Sequence, residues 1–206
     1  PFSSIGKSFA ENNICEMGYA VSKIYARSII EEFSIRFDEN IHCLEDLLFM
    51  YQYLLHCDYL VLNHMQNYVY VKHSFSLSHR IHSFESEYCC FVKYQQLLAE
   101  MMKVWKIPAG DMVVTVNSML VPFRRALKSD YQPDRTIPRE MRVKHLKRMI
   151  SESRDVFLKY YHPVFKTDKL GKVLLGFNCY ILYDFYIRLL FRLNIGPVFY
   201  GPKHMY

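Results

Sequence analysis

Backbone breakers are scarce in this 206-residue sequence, which holds 7 Gly and 8 Pro. Low-complexity and linker-like material needs far more of both, so those classes are excluded. No Cys-x-x-Cys pair occurs among Cys15, Cys43, Cys57, Cys89, Cys90 and Cys179. Their irregular spacing and a length that can bury a real core speak against a disulfide scaffold, and free thiols in a reducing compartment are expected. No basic-then-apolar leader opens the chain, and Pro1 stands where an initiator Met would. The sequence therefore reads as a non-secreted piece of a longer protein. The most apolar stretch, Leu170 to Leu193, is interrupted by Lys172, Asp184, Arg188 and Arg192. It falls short of the roughly 18 uncharged residues of a membrane span and suits a buried or interface-lying helix.

What the chain does have is apolar and aromatic bulk. Half of it is hydrophobic (51%), with 17 Tyr and 15 Phe, which excludes disorder. Charge is uneven. Residues 1–120 carry 9 basic and 13 acidic side chains, residues 121–206 carry 17 and 7. A basic half is either a solvated surface or the complement of an anionic neighbour such as lipid, nucleic acid or a phosphorylated substrate.

Periodicity then places the elements. Val21, Ile24, Tyr25, Ile29 and Phe33 suit one helix face between Ala20 and Phe33, and Ser34–Asn40 reads as an extended connection. Glu45–His56 is helical with a wide apolar face. Tyr59–Leu62 and Tyr68–Val71 read as two strands, followed by a loop to Ser78. Beyond it, Phe84, Tyr88, Phe91, Leu98, Met101, Met102 and Trp105 mark a long helix with an apolar stripe, ended by Pro108-Ala109-Gly110. Further helices are expected from Asp111 to about Leu127, from Pro138 past Phe157, and from Lys169 to Leu193 with Asp168 as its cap. Asp130–Pro138 reads as a linker. The fold class expected is mainly α with a small β component, divided into residues 1–78 and an all-helical 79–206.

Two segments carry chemistry. Glu45-Asp46 opens an apolar helix, where free backbone N–H groups favour the ionised carboxylate. An Asp held so can act as a general base or simply close the helix end. Downstream, Lys72, His73, Ser74, Ser76 and Ser78 follow the second strand. A cation and several hydroxyls suit phosphate oxygens, and they equally suit a polar turn. His79 and His82 lack the spacing of a metal site. Arg139, Arg142, Lys144, Lys147 and Arg148 make a basic helix, open to a solvated or a lipid-facing reading.

From about Met17 to Ser78 the chain resembles family 2 glycosyltransferases of the GT-A fold. The resemblance rests on Lys23-Ile24-Tyr25, Ile29-Ile30, Arg36-Phe37-Asp38-Glu39, Glu45-Asp46-Leu47-Leu48-Phe49 and the stretch from Tyr68-x-Tyr70 to Ser76. It implies the C-terminal, acceptor-side part of a GT-A-like α/β domain (residues 1–78) with a helical extension (79–206). It further implies an inverting enzyme that moves a sugar from a nucleotide-sugar donor to a glycan or lipid-linked acceptor in cell-surface polysaccharide synthesis. Asp46 matches the acceptor-activating base and Glu45 its acidic neighbour. Lys72, His73 and Ser76 match the loop that closes over the donor diphosphate, although Val71 stands where many relatives carry arginine. A divalent cation, Mg or Mn, is implied for the complete enzyme, but its Asp-x-Asp ligands do not occur here. The isolated segment is therefore expected to be inactive. A cytoplasmic location, peripheral contact with the inner membrane face and self-association accompany this reading, with no nucleic-acid partner. The alternative is a non-enzymatic helical module that uses its basic C-terminal half to bind membrane, nucleic acid or protein.

Overall fold

The computed structural model describes residues 21–61, 63, 68–69, 71, 80–106, 113–132, 134–163, 165–193 and 195. Every regular element among them is helical: α1 (Arg27–Glu32), α2 (Glu45–Leu54), α3 (Phe84–Trp105), α4 (Val113–Lys128), a 3₁₀ turn (Ser129–Tyr131), α5 (Arg139–Glu152), α6 (Arg154–Tyr160), α7 (Lys166–Gly176) and α8 (Tyr180–Arg192). The protein is mainly α, as its few breakers and long periodic runs predict. It forms two compact units, one from residues 1–80 and 89–119, the other from 81–88 and 120–206.

In the first unit α2 is apolar nearly all round and is buried accordingly. One side supplies Phe49 and Tyr53 to a cluster with Ile35 and with Cys57 beyond the helix, against which Tyr25, Ile29 and Ile30 pack. The other side turns Tyr51 to Tyr94 of α3, their rings 5.4 Å apart and their hydroxyls sharing a 3.1 Å hydrogen bond. Along the part of α3 in this unit, Phe91, Tyr94, Leu98, Met101 and Trp105 are buried, Phe91 and Tyr94 fully so, while Met102 of the expected stripe is half-buried. Each such large side chain contributes about 1.5–3 kcal/mol when removed from water.

The first unit also corrects the reading of its ends. The first helix is only six residues long, because Val21 and Ile24 are exposed and have no core to face. Tyr59, Leu60 and Val61, expected in a strand, are irregular and exposed, as are Tyr68, Val69 and Val71 of the second expected strand. No strand occurs among the described residues. A short apolar run becomes a strand only where a ladder partner satisfies its backbone, and a lone hairpin is marginal at best. Cys43, Cys57, Cys89, Cys90 and Cys179 are free thiols.

The second unit is organised by buried charges. Arg142 of α5 grips Asp184 of α8 with two bonds, Nε to Oδ1 at 2.6 Å and Nη2 to Oδ2 at 3.0 Å, while the Tyr131 hydroxyl donates to Oδ1 at 3.1 Å. Lys128 Nζ donates to Asp168 Oδ1 at 3.0 Å, and Arg124 Nη2 lies 3.1 Å from Oδ2. Arg125 forks onto Glu87 at 2.7 and 2.8 Å. These carboxylates are almost wholly inaccessible, so each is paired and bonded as burial requires. Asp168 therefore anchors α7 inside the unit, and the residue capping that helix is Phe165. The expected linker is also partly core: Asp130 and Tyr131 are buried in the 3₁₀ turn, and Asp130 Oδ2 meets His145 Nδ1 at 2.6 Å.

Two long helices expected from the pattern are broken. The α5 run stops at Ser153 and restarts as α6. The C-terminal run bends into an α7–α8 hairpin at Phe177-Asn178-Cys179. Asn178 takes the left-handed conformation (φ 56°), which Asn tolerates better than most residues. Gly171 lets the hairpin close, since a Cβ there would come within 2.9 Å of the Tyr183 ring.

The Asp184→Ala variant should lose about 3–5 kcal/mol, because it leaves Arg142 buried without its counter-charge. Urea unfolding should show the Arg142→Leu/Asp184→Leu double variant to be markedly less destabilised. An exposed-pair cost below about 1 kcal/mol for Asp184→Ala would contradict this burial.

Alkaline pH gives a second test. Burial, reinforced by Asp184, holds the Tyr131 hydroxyl well above its ordinary pKa. Burial and Asp168 do the same to Tyr161, and burial with neighbouring tyrosines to Tyr183. Unfolded tyrosines ionise near pH 10, so above it the unfolded state binds fewer protons and stability falls with rising pH. The slope should approach roughly 1.4 kcal/mol per pH unit for each such tyrosine. Lys128 works in the opposite sense. Burial outweighs Asp168 and lowers its ammonium from 10.5 to about 8, so it alone would raise stability between those values. Above pH 10 the three tyrosines outweigh one lysine. The urea midpoint should therefore drop steeply from pH 10 to 11, and an unchanged midpoint would refute the packing of these rings.

Candidate functional site

The acidic pair sits in the first turn of α2, behind Leu44 as N-cap. Leu44 is left-handed (φ 65°), a conformation that costs a side-chain-bearing residue about 1 kcal/mol or more. No side chain caps the helix. Asp46 Oδ1 accepts the Leu47 backbone N–H at 2.8 Å, so one carboxylate oxygen is tied to the helix end. Both Glu45 and Asp46 are half-buried.

Three segments distant in sequence set this turn in place. The Phe49 ring lies edge-on to Tyr25, with centroids 5.5 Å apart, and stacks on Phe37 at 4.5 Å and 9°. Tyr25 also meets Tyr53 edge-on at 4.9 Å. The Tyr53 hydroxyl in turn accepts the Ala26 N–H at 2.7 Å, which caps α1 from outside the helix. Next to Phe37, Asp38 Oδ1 accepts the Asn40 backbone N–H at 2.9 Å, and Oδ2 pairs with Lys93 of α3. Thus Tyr25 and Phe37 pack on the helix that Glu45-Asp46 opens, through Phe49.

Asp46 is felt by two residues of the first segment. Its charge raises the Lys23 pKa, though burial dominates and brings that ammonium below its ordinary value. Burial, then Asp46, then Tyr53 push the Tyr25 hydroxyl up to about 12, so it remains a proton donor across the physiological range. That hydroxyl is buried and has no hydrogen-bond partner among the described residues. A buried unpaired hydroxyl is costly. Lys23 and Tyr25 are thus candidate site residues that spacing alone does not reveal. The signal is their place in the first block of the resemblance.

Of the residues singled out in the sequence, Glu45 and Asp46 are here, whereas Lys72, His73 and Ser76 lie outside the described residues. His79 lies outside them too, and the His82 backbone N–H donates to Glu87. Among the described residues no group of three or more His, Cys, Asp or Glu could hold a metal ion. None of the described residues therefore makes a ligand set for the divalent cation that the resemblance implies. Comparison with protein-family models, with curated proteins and with solved structures finds no match.

Tyr25→Phe removes the unpaired hydroxyl and keeps the ring contacts. Its stability in urea should equal the parent's or exceed it by up to about 1 kcal/mol. A loss of more than about 1 kcal/mol would mean that the hydroxyl has a partner within the protein.

Proposed function

We propose that residues 1–78 are the acceptor side of an inverting, family 2-like glycosyltransferase with a GT-A-type catalytic domain. The supporting observation is the convergence of Lys23-x-Tyr25, Phe37 and Glu45-Asp46 around one half-buried carboxylate and one orphaned hydroxyl. Asp46 accepts the proton of an acceptor sugar hydroxyl as that oxygen attacks the anomeric carbon. The bond to the nucleoside diphosphate breaks on the opposite face, and configuration inverts. A sugar hydroxyl is a weak nucleophile, so a base in contact with it contributes about 10²–10⁴-fold. Its remaining oxygen stays bonded to the Leu47 N–H, which orients the carboxylate. Tyr25 donates to an acceptor oxygen, and Lys23 balances the charge of the pair. Glu45 meets further acceptor hydroxyls.

In this reading Lys72, His73 and Ser76 approach the donor diphosphate. No step is assigned to a divalent cation, for which the described residues show no ligand set. The acceptor is a glycan or a lipid-linked saccharide, and the setting is cytoplasmic, at the inner membrane face. No helix among the described residues is long and apolar enough to cross a membrane.

The test is Asp46→Asn in a protein that carries this segment together with its nucleotide-binding half. Released nucleoside diphosphate should fall at least about 10²-fold while circular dichroism stays unchanged. Retention of more than about a tenth of the parent rate would remove Asp46 from the chemistry. The 206-residue chain alone should show no transfer.

A further inference from the structure

The α7–α8 hairpin carries a second apolar face that the protein does not cover. Tyr183, Ile187 and Leu190 of α8 point into the second unit. On the opposite side Ile181, Phe185 and Leu189 recur at helical spacing and are 59%, 63% and 40% exposed. Leu170, Val173 and Phe177 form a matching stripe on α7, with Phe177 at the turn 77% exposed. Two exposed apolar stripes on one hairpin are the kind of surface that marks an interaction site.

Charge says what it meets. Between Lys166 and Leu193 there are two acids, Asp168 and Asp184, and both are buried in the ion pairs with Lys128 and Arg142. The cations Lys166, Lys169, Arg188 and Arg192 are exposed, and Lys172 is half-exposed. The hairpin thus presents apolar stripes bordered by positive charge of one sign only. Beside the turn, Asn178 and Tyr180 line a shallow open cleft with Lys144, Lys147, Arg154 and Arg148, the last of which is paired with Glu85 and Glu152. Exposed cations alternate with exposed apolar residues along both helices, the combination that phosphate headgroups and acyl chains complement. A second copy docked through the same face would set these cations against their own kind.

We propose that the α7–α8 hairpin seats the second unit on an anionic lipid surface. Phe177, Ile181 and Phe185 enter the acyl boundary, and the lysines, arginines and adjoining cleft bind lipid phosphates. Long basic side chains reach the headgroups while their stems stay on the apolar ridge. This rests on the second unit alone and is independent of the role of Asp46.

The experiment is co-sedimentation of the 206-residue chain with phosphatidylcholine vesicles, with and without about 30 mol% phosphatidylglycerol. Binding should require the anionic lipid and weaken at least about tenfold on going to ~0.5 M salt. Ile181→Asp/Phe185→Asp should lose binding at least about tenfold while keeping the parent's circular dichroism. Lys169→Glu/Arg192→Glu, which leaves the apolar ridge intact, should lose it comparably. Failure to bind anionic vesicles, equal binding to neutral ones, or full binding by either variant overturns the proposal. So does a concentration-dependent dimer in sedimentation equilibrium that Ile181→Asp/Phe185→Asp dissolves, because the ridge would then belong to a second copy.

Discussion

Phe49 is the ring on which the first unit's acidic turn depends. It lies one helical turn after Asp46 and touches both Tyr25 and Phe37. Its two contacts therefore bind three segments that the chain keeps apart. Offset and edge-on aromatic pairs add about 0.5–1.5 kcal/mol each beyond their burial. The arrangement orients a carboxylate and leaves Leu44 in a conformation that its side chain disfavours. Such strain persists only where surrounding packing over-determines it.

The second unit follows a different rule, that a buried charge must be paired. Glu87, Asp168 and Asp184 each draw an arginine or a lysine inward. The pairing uses up both acids of the α7–α8 hairpin and leaves its cations outside. Core electrostatics and surface character are therefore one fact. The residues that lock the hairpin into the unit are those that give its outer face a single sign. Pairs of this kind are weak evidence for stability, but losing one partner is strongly unfavourable.

Legibility in the sequence tracks how local the cause is. The α3 stripe could be read because its spacing of three and four persists over 22 residues and its buried face obeys it. The Tyr59–Leu62 run misleads because its β-branched and aromatic character is local, whereas strand formation needs a partner elsewhere. Asp168 reads as a cap and Asp130 as linker because their partners, Lys128 and His145, are fixed only by folding. The hairpin break depends on Asn178 turning left-handed and on Tyr183 packing over Gly171, neither of which disturbs the apolar period. Order and spacing of the blocks around Glu45-Asp46 were legible, but the contact of Tyr25 with Phe49 was not. It joins positions 24 residues apart through a turn with no periodic signature.

The proposed role of Asp46 as proton acceptor is tested most directly by the pH dependence of kcat/KM for sugar transfer, measured in a longer protein that carries this segment and in its Asp46→Asn variant. In the parent, kcat/KM should fall about tenfold per pH unit on the acid side, as one essential base is protonated. The variant's residual rate should be flat over the same range. An acid limb of the same slope and position in both proteins would contradict the account.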